Sequence, residues 1–257
     1  MLVLVALLTG GLGMLAVERV LRSPGRARDG RLRTVARVVV AAGGVVLGAL
    51  ALLQRQNDAL VRVDHDVAGW AHEHATHLST RVITLVTDLG SSPVVPVLGV
   101  LLVLAEWRRL PNRLLAPFLI VAVLGDELLT VLIKGFVGRV RPTLNPIAAS
   151  LGPSFPSGHA STAAAFYAAA ALLLARGRGR QTSSLIAGAA IAIIAAVATS
   201  RVFLDVHWLS DVIGGVALGW AWCALCALAS RGRLFSFRTP GQRHPPRGVR
   251  RGGTHPP

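Results

Sequence analysis

The sequence predicts an all-α polytopic membrane protein, a helical bundle with a six-span core and one extra span near the N-terminus. Composition is the first reason, because 53% of the 257 residues are apolar and only 15% are charged. A typical soluble domain carries about 25% charged residues. The second reason is the pattern, in which short arginine-rich stretches separate long apolar runs. This alternation is typical of transmembrane helices joined by loops.

Six apolar runs are the expected core spans: residues 38–53, 94–105, 114–133, 160–175, 185–199 and 212–228. Another run, residues 2–17, lacks the basic start and the small-residue cleavage site of a signal peptide. We therefore expect an extra span there, with a signal sequence or a misplaced start codon as alternatives. The expected organisation is an N-terminal segment with a basic linker (1–36), the core (37–229) and a basic, Pro/Gly-rich disordered tail (230–257).

The net charge is +15, and its distribution along the chain predicts the orientation of the bundle. Arginines concentrate in four stretches: residues 18–37, 108–113, 176–180 and 231–251. These are alternate connections, so the positive-inside rule places them in the cytoplasm. Three connections then face the extracytoplasmic side: residues 54–93, 135–159 and 200–211. Basic loops account for the charge without a nucleic-acid partner, and the tail is expected to contact anionic lipid.

The first of three polar stretches in these outward connections is "KGFVGRVRP", residues 134–142. Lys134 is the only lysine among 27 lysines and arginines, and it ends an apolar run. A lone compact ammonium at a membrane edge indicates that a point charge is required there. Arg141 follows two helical turns later, so both cations can face one way. Taken alone, the stretch could instead snorkel to lipid headgroups.

The second stretch is "PSGH", in which Ser157 has the character of a helix N-cap. The first-turn N–H groups and the helix dipole favour an anion in front of such a cap. Gly158 lets a ligand approach the backbone, and His159 would stand beside the anion. An ordinary capped helix is the alternative.

The third stretch is "SRVFLDVHWLSD", residues 200–211. His207 and Asp211 are four residues apart and share a helix face. A carboxylate bonded to one ring nitrogen leaves the other nitrogen as a base or a nucleophile. Arg201 adds a planar fork that suits phosphate. A structural histidine–aspartate pair is the alternative for this stretch alone.

Together the stretches supply three cations, a helix N-terminus, two histidines and an aspartate on one side of the membrane. This set fits phosphoryl transfer, in which catalysis is mostly anion positioning with one nucleophile and one proton donor. The stretches resemble the three-part signature of the type-2 phosphatidic acid phosphatase (lipid phosphate phosphatase) superfamily. Every signature position matches: Lys134-x6-Arg141-Pro142, Pro156-Ser157-Gly158-His159 and Ser200-Arg201-x5-His207-x3-Asp211. The resemblance of the six-span core covers residues 37–228.

The resemblance implies that His207 attacks phosphorus to form a phosphohistidine, Asp211 orients it and His159 protonates the leaving group. Five residues would hold the phosphoryl oxygens: Lys134, Arg141, Ser157, Gly158 and Arg201. Four more are expected to support them from behind: Arg139, Pro142, Pro156 and Ser200. Neither a metal nor another cofactor is implied. Because attack needs neutral His207 and donation needs protonated His159, we expect a bell-shaped pH profile.

The implied activity is hydrolysis of a phosphate monoester or diphosphate of a lipid, of the polyprenyl diphosphate, phosphatidate or phosphatidylglycerophosphate class. The site is expected at the extracytoplasmic face of a cell membrane, such as a bacterial plasma membrane. Two alternatives stay open. One is a membrane protein that binds or transports an anion or phospholipid without hydrolysis, and the other is an enzyme similar to vanadium haloperoxidases.

Three further features have more ordinary interpretations. Cys223 and Cys226 are interpreted as small buried hydrophobes. The acidic, histidine-rich segment 64–77 is expected to be an interfacial amphipathic helix, with a substrate lid or a metal site as alternatives. Asp126 and Glu127 lie inside a predicted span and are expected to be structural or pKa-tuning partners, with Glu127 on the helical face of the lone lysine.

Overall fold

The computed structural model describes residues 25–75, 77–142 and 152–230. In these ranges all regular secondary structure is helical, which confirms the predicted class. The eight helices of this part are α1 (Gly25–Gln56), α2 (Asp58–Glu73), α3 (His77–Asp88), α4 (Val94–Arg109), α5 (Leu115–Val137), α6 (Gly158–Leu174), α7 (Arg180–Phe203) and α8 (Leu209–Ala229). The expected extra N-terminal span and the basic tail lie outside the described residues.

Four helices are long and apolar enough to cross a membrane: α1 from Leu32 onward, α5, α7 and α8. Helices α4 and α6 coincide with two other predicted runs, but they have 16 and 17 residues. That is less than the roughly 20 residues of a full span. Large side chains such as Leu128 and Val131 are exposed on the outside of the bundle, as lipid-facing residues would be. The chain is a multi-pass membrane protein, and the count of six spans stays a prediction.

Helix α6 lies at the centre of the bundle and packs closely on α8. Small residues permit this approach, since α6 is rich in alanine and α8 carries Gly215 and Gly219 at the contact. A Cβ atom on Gly215 would lie 2.5 Å from the backbone oxygen of Ser157. A Cβ atom on Gly219 would lie 2.3 Å from the backbone oxygen of Ser161. The two glycines therefore determine how near the N-terminus of α6 comes to α8.

Gly215→Ala is expected to destabilise the protein by about 1–3 kcal/mol, because the added methyl group must push α6 and α8 apart. The matched control is Gly188→Ala on α7, where an added Cβ meets no atom within 4 Å. Thermal unfolding in detergent measures both variants. Equal melting temperatures for Gly215→Ala and the parent protein would contradict the close-packed contact.

At the other end of α6, arginines surround one buried carboxylate. Glu106 accepts a hydrogen bond from Arg109 Nη2 at 2.8 Å and lies 3.5 Å from Arg178 Nη1. Arg109 also donates to the backbone oxygen of Arg176 at 2.6 Å. These bonds join the C-terminal ends of α4 and α6. Two of the predicted cytoplasmic stretches thus meet at one end of the bundle, about 25 Å along α6 from its N-terminus.

The polar and thiol residues predicted inside the spans are buried or hydrogen-bonded. Cys223 and Cys226 are free, buried thiols of α8, as interpreted from the sequence. Asp126 accepts a hydrogen bond from Ser161 Oγ at 2.6 Å, which ties α5 to α6. Glu127 accepts from Ser92 Oγ at 3.1 Å, so its bond is to the residues before α4 and not to the lone lysine.

Candidate active site

Three sequence stretches meet at one end of the bundle, where α5 and α7 end and α6 and α8 begin. Each predicted residue lies at or just beyond a helix end, because the apolar runs stop there. The ring of His159, in the first turn of α6, is partly buried and interacts electrostatically with residues from the other two stretches: Lys134, Arg141, Arg201 and His207. The structure therefore brings together side chains that the sequence separates by up to 73 residues.

His207 is held between a carboxylate and a guanidinium in the turn before α8. Its side chain is buried, with Nδ1 3.5 Å from Asp211 Oδ2 and Nε2 3.2 Å from Arg141 Nη1. The first distance is at the long limit of a hydrogen bond, as is common in catalytic sites without substrate. A proton on Nδ1 facing Asp211 makes Nε2 the acceptor, and its lone pair takes the N–H of Arg141 in this structure. The same lone pair can attack phosphorus once Arg141 donates to a phosphoryl oxygen instead.

Burial lowers the pKa of His207 from its ordinary value of 6.5 to about 4, although Asp211 opposes the shift. The cations Arg141 and Arg201 lower this pKa further. The imidazole is therefore neutral at physiological pH, which is the form that a nucleophile requires. Burial also lowers the pKa of the neighbouring Arg141 guanidinium.

The three predicted cations are each anchored by an oxygen of the protein. Lys134 Nζ donates to the backbone oxygen of Pro153 at 2.6 Å. Arg141 donates to the backbone oxygens of Gly152 at 2.9 Å and Val206 at 2.6 Å. These bonds hold positive charge in place before any substrate arrives, and such preorganisation is what stabilises a developing phosphoryl charge.

Arg201 is the third cation, and its Nη1 donates to Thr87 Oγ1 of α3 at 2.9 Å. Its Nε is buried and has no hydrogen-bond partner in the described part of the chain. A buried donor without a partner is costly unless a ligand supplies the acceptor. The orphan N–H therefore indicates a place for an anionic oxygen. Thr87 is a supporting residue that sequence reasoning missed.

The N-terminus of α6 has the properties of an anion site. Ser157 stands at the N-cap position with extended backbone, and its N–H donates to the backbone oxygen of Asp211 at 2.9 Å. Its Oγ makes no cap bond and is buried without a partner in the described residues. A Cβ atom on Gly158 would meet only Thr130 Cγ2, at 3.7 Å. The hydroxyl and the open approach at Gly158 leave room for an oxyanion.

The four predicted supporting residues have different roles. Pro142 and Pro156 are fully buried. Ser200 Oγ donates to the backbone oxygen of Val197 at 2.6 Å, so it bonds to its own helix. Arg139 donates to Asp211 Oδ1 at 2.6 Å and to Asp64 Oδ2 at 2.7 Å. Arg139 therefore holds the aspartate behind His207.

Side chains of the acidic, histidine-rich segment 64–77 have different partners. The segment forms the end of α2 and the start of α3, and Asp64 is buried while its neighbours are more exposed. His72 Nδ1 lies 2.7 Å from Asp205 Oδ2, in the turn before His207. His74 stacks on Trp70 with ring centroids 4.8 Å apart. Between residues 25 and 230, as far as the structure describes them, no three metal-binding side chains converge.

Asp64 is the main site residue that sequence reasoning missed, since the segment was expected to lie at the interface. A signal was present in the spacing, because the buried residues of α2 are Asp64, Ala68 and Ala71. That spacing places the carboxylate on the same helix face as two buried alanines. A carboxylate on a buried helix face requires a partner inside the protein.

A cavity of about 240 Å³ lies beside the candidate site. It is lined by the segment after α5 and the segment before α6: Gly138, Arg139, Val140, Arg141, Pro142, Gly152 and Pro153. Two predicted site cations, Arg141 and Arg139, thus border space that a headgroup could enter.

Known proteins resemble part of this chain. The family model described as the PAP2 superfamily matches residues 115–234. Phosphatidylglycerophosphatase B of Bacillus subtilis is 33% identical over 145 residues, which are 54% of this chain and 69% of that protein. Lipid A 1-phosphatase of Rhizobium johnstonii is 36% identical over 137 residues, 48% of this chain and 52% of that protein.

A solved structure has a similar fold. The crystal structure of the transmembrane PAP2-type phosphatidylglycerolphosphate phosphatase from Bacillus subtilis superposes with a TM-score of 0.67 and 25% sequence identity. The match covers 75% of this chain and 96% of that one. The motif residues, their convergence at one end of the bundle and these relatives lead to one conclusion: the chain belongs to the PAP2 superfamily.

Proposed function

We propose that this protein is an integral membrane phosphatase that hydrolyses a phosphate monoester or diphosphate of a lipid through a phosphohistidine intermediate. One observation carries the proposal: the buried His207 lies between Asp211 and Arg141 and faces a set of anchored cations and the N-terminus of α6. The relatives whose names describe lipid phosphatases support the same reaction class.

The reaction has two displacement steps. In the first, Nε2 of His207 attacks phosphorus while the bond between phosphorus and the leaving oxygen breaks. His159 donates its proton to that oxygen, which leaves as the lipid alcohol or lipid phosphate. In the second, His159 accepts a proton from water, the water oxygen attacks phosphorus and the N–P bond breaks. Inorganic phosphate leaves, and both histidines return to their starting forms.

The charge that builds on the phosphoryl oxygens is stabilised by fixed donors. Lys134, Arg141 and Arg201 supply the cations, and Ser157 with Gly158 supplies the helix N-terminus. In kinases a divalent metal performs this neutralisation, whereas the anchored cations of this site would perform it here. Asp211 stabilises the imidazolium character that His207 gains as it attacks.

The substrate is proposed to be a lipid because the site stands at the end of helices whose outer faces are apolar. The arginine-rich end that carries Glu106 lies opposite, so the positive-inside rule supports a site at the extracytoplasmic face. A bacterial plasma membrane is the proposed location. Polyprenyl diphosphate, phosphatidate and phosphatidylglycerophosphate all carry the terminal phosphate that the site would receive.

The test is phosphate release from these three lipids by the purified protein in detergent with excess chelator. We expect release from at least one of them, with a loss of about 100-fold in His159→Ala, since a positioned proton donor contributes about 10²–10⁴-fold. His74→Ala is the matched control, because His74 is exposed and its ring stacks on Trp70. Strict metal dependence, or full activity in His159→Ala, would contradict the mechanism.

The same assay separates the alternatives. A protein that only binds or transports an anion would retain the lipid phosphate intact. An enzyme similar to vanadium haloperoxidases would oxidise halide when both vanadate and hydrogen peroxide, the oxidant, are supplied. Under the phosphatase proposal, vanadate instead inhibits phosphate release, because it binds as a phosphoryl analogue between the site cations and the N-terminus of α6.

The acid limb of the pH–rate profile should lie at low pH. His207 must be neutral to attack, and its pKa is lowered to about 4. Protonation of His207 should therefore lower the rate about tenfold per pH unit below about pH 4. Burial and the neighbouring cations lower the pKa of His159 to about 3 in the protein without substrate. We therefore expect His159 to carry its proton only when a negative phosphoryl group has bound and raised that pKa, so its alkaline limb should appear in kcat. An acid limb near pH 6.5, or a rate that is flat from about pH 4 to pH 9, would contradict these roles.

A further inference from the structure

We propose that Asp64 is a positioning residue of the phosphatase site: it holds Arg139 and the first turn of α8 so that Asp211 can orient His207. The inference rests on the proposed function. Asp64 belongs to α2, outside the three sequence motifs and outside residues 115–234 that the family model matches.

The Asp64 carboxylate is saturated by partners from the site. Its side chain is 1% exposed, although it is ionisable and belongs to an otherwise amphipathic helix. Oδ1 accepts the backbone N–H of Ser210 at 2.9 Å. Oδ2 accepts from Arg139 Nη2 at 2.7 Å and from the hydroxyl of Ser210. A buried carboxylate without such partners would be strongly destabilising, so these contacts determine where Asp64 lies.

Two carboxylates share one guanidinium. Arg139 Nη1 donates to Asp211 Oδ1 at 2.6 Å, while Nη2 donates to Asp64 Oδ2 at 2.7 Å. Each amino group of the fork therefore serves a different aspartate. Arg139 also lies over the ring of Trp208, at 5.5 Å from its centroid. The guanidinium has one defined orientation.

This division leaves the second oxygen of Asp211 available. Asp211 Oδ2 accepts the backbone N–H of Trp208 at 2.9 Å and faces His207 Nδ1 at 3.5 Å. An arginine fork prefers to bind both oxygens of one carboxylate. Without Asp64, Nη2 has no anionic partner and can turn to Asp211 Oδ2, in competition with His207. Asp64 thus keeps Oδ2 directed at the nucleophile.

Asp64 also fixes the backbone that carries Asp211. Ser210 precedes Asp211 in the first turn of α8, and both its N–H and its hydroxyl are bonded to Asp64. Ser210 Oγ lies 2.7 Å from Arg139 Nη1 as well. Asp64, Ser210, Arg139 and Asp211 therefore form one closed network behind His207.

The test compares Asp64→Asn with Asp66→Asn, which makes the same change on the same helix at an exposed residue. We expect Asp64→Asn to lower kcat by about 10–100-fold, by analogy with the loss when a hydrogen-bond partner that orients a metal ligand is removed. KM should change less than about threefold, because Asp64 is not one of the residues that would hold the phosphate. Asp66→Asn should match the parent enzyme in both parameters.

A double-mutant cycle separates positioning from a purely structural role. If Asp64 acts in one network with Arg139, the double variant Asp64→Asn/Arg139→Gln loses less kcat than the sum of the two single losses. Independent structural roles would give additive losses and a lower melting temperature in both single variants. Should Asp64→Asn fail to fold, Ser210→Ala removes only the linking hydroxyl, and we expect it to lower kcat severalfold with KM unchanged.

The outcomes distinguish this inference from the proposed function. Activity of the parent enzyme that is lost in His207→Ala supports the phosphatase assignment whatever Asp64 does. Parent-like kcat in Asp64→Asn, additive losses in the cycle, or parent-like kcat in Ser210→Ala where Asp64→Asn does not fold, would overturn the inference about Asp64 alone. A parent protein without phosphatase activity would instead overturn the proposed function.

Discussion

His207→Ala is expected to lower phosphatase kcat by about 10⁴-fold or more, because it removes the atom that forms the covalent intermediate. The side chain is buried, and its Nε2 lies 3.2 Å from Arg141. Neither water nor another described side chain at that position would attack phosphorus with comparable efficiency. The measurement is phosphate release from the best lipid substrate under saturating conditions.

The loss must not arise from unfolding. His207→Asn is a useful second variant, since an amide is polar and of similar size, and it should be as inactive as His207→Ala while keeping the melting temperature closer to that of the parent. His65→Ala is the matched control for a histidine of the same region, because its ring packs on Trp208 at 4.6 Å. More than a few per cent of parent activity in folded His207→Ala would contradict the assignment of the nucleophile.

Asp211→Asn is expected to lower kcat by about 10³-fold or more, by analogy with the loss when an orienting aspartate becomes an amide in other histidine-dependent enzymes. The carboxylate faces His207 Nδ1 and accepts from Arg139 and from the backbone of Trp208. An amide can present its NH₂ group to Nδ1, which favours the wrong tautomer of the imidazole. It also leaves Arg139 with one anionic partner in place of two.

The KM of Asp211→Asn should change much less than its kcat, because Asp211 stands behind His207 and does not reach the phosphate. Steady-state kinetics on the same lipid substrate measures both parameters. Equal rises in KM with an unchanged kcat would show that Asp211 acts in substrate binding and would contradict its orienting role.

The sequence predicted the helices and the motif residues well for a physical reason. Long apolar runs leave few alternatives to membrane helices, and they end where polar residues begin. Lys134, Ser157 and His207 are each at such an end, so alternate connections had to face the same side. Their convergence into one site could therefore be expected without knowledge of the packing.

The residues that hold the site residues in position could not be predicted in the same way. Asp64 bonds to Ser210, which is 146 residues away along the chain. Thr87 bonds to Arg201 over 114 residues. Such pairs depend on how α2 and α3 pack beside α7 and α8, and no local spacing encodes that. The hydrogen bond of Glu127 could not be predicted for the same reason, because its partner Ser92 lies on another segment.

The most direct test of the account is to trap the intermediate on His207. The protein is mixed with a lipid phosphate substrate, quenched in base during turnover and digested for peptide mass spectrometry, since phosphohistidine survives base and is lost in acid. We expect one phosphate on the peptide that contains His207, absent from His207→Ala. Phosphate on a different residue, or turnover without any phosphorylated peptide, would contradict it.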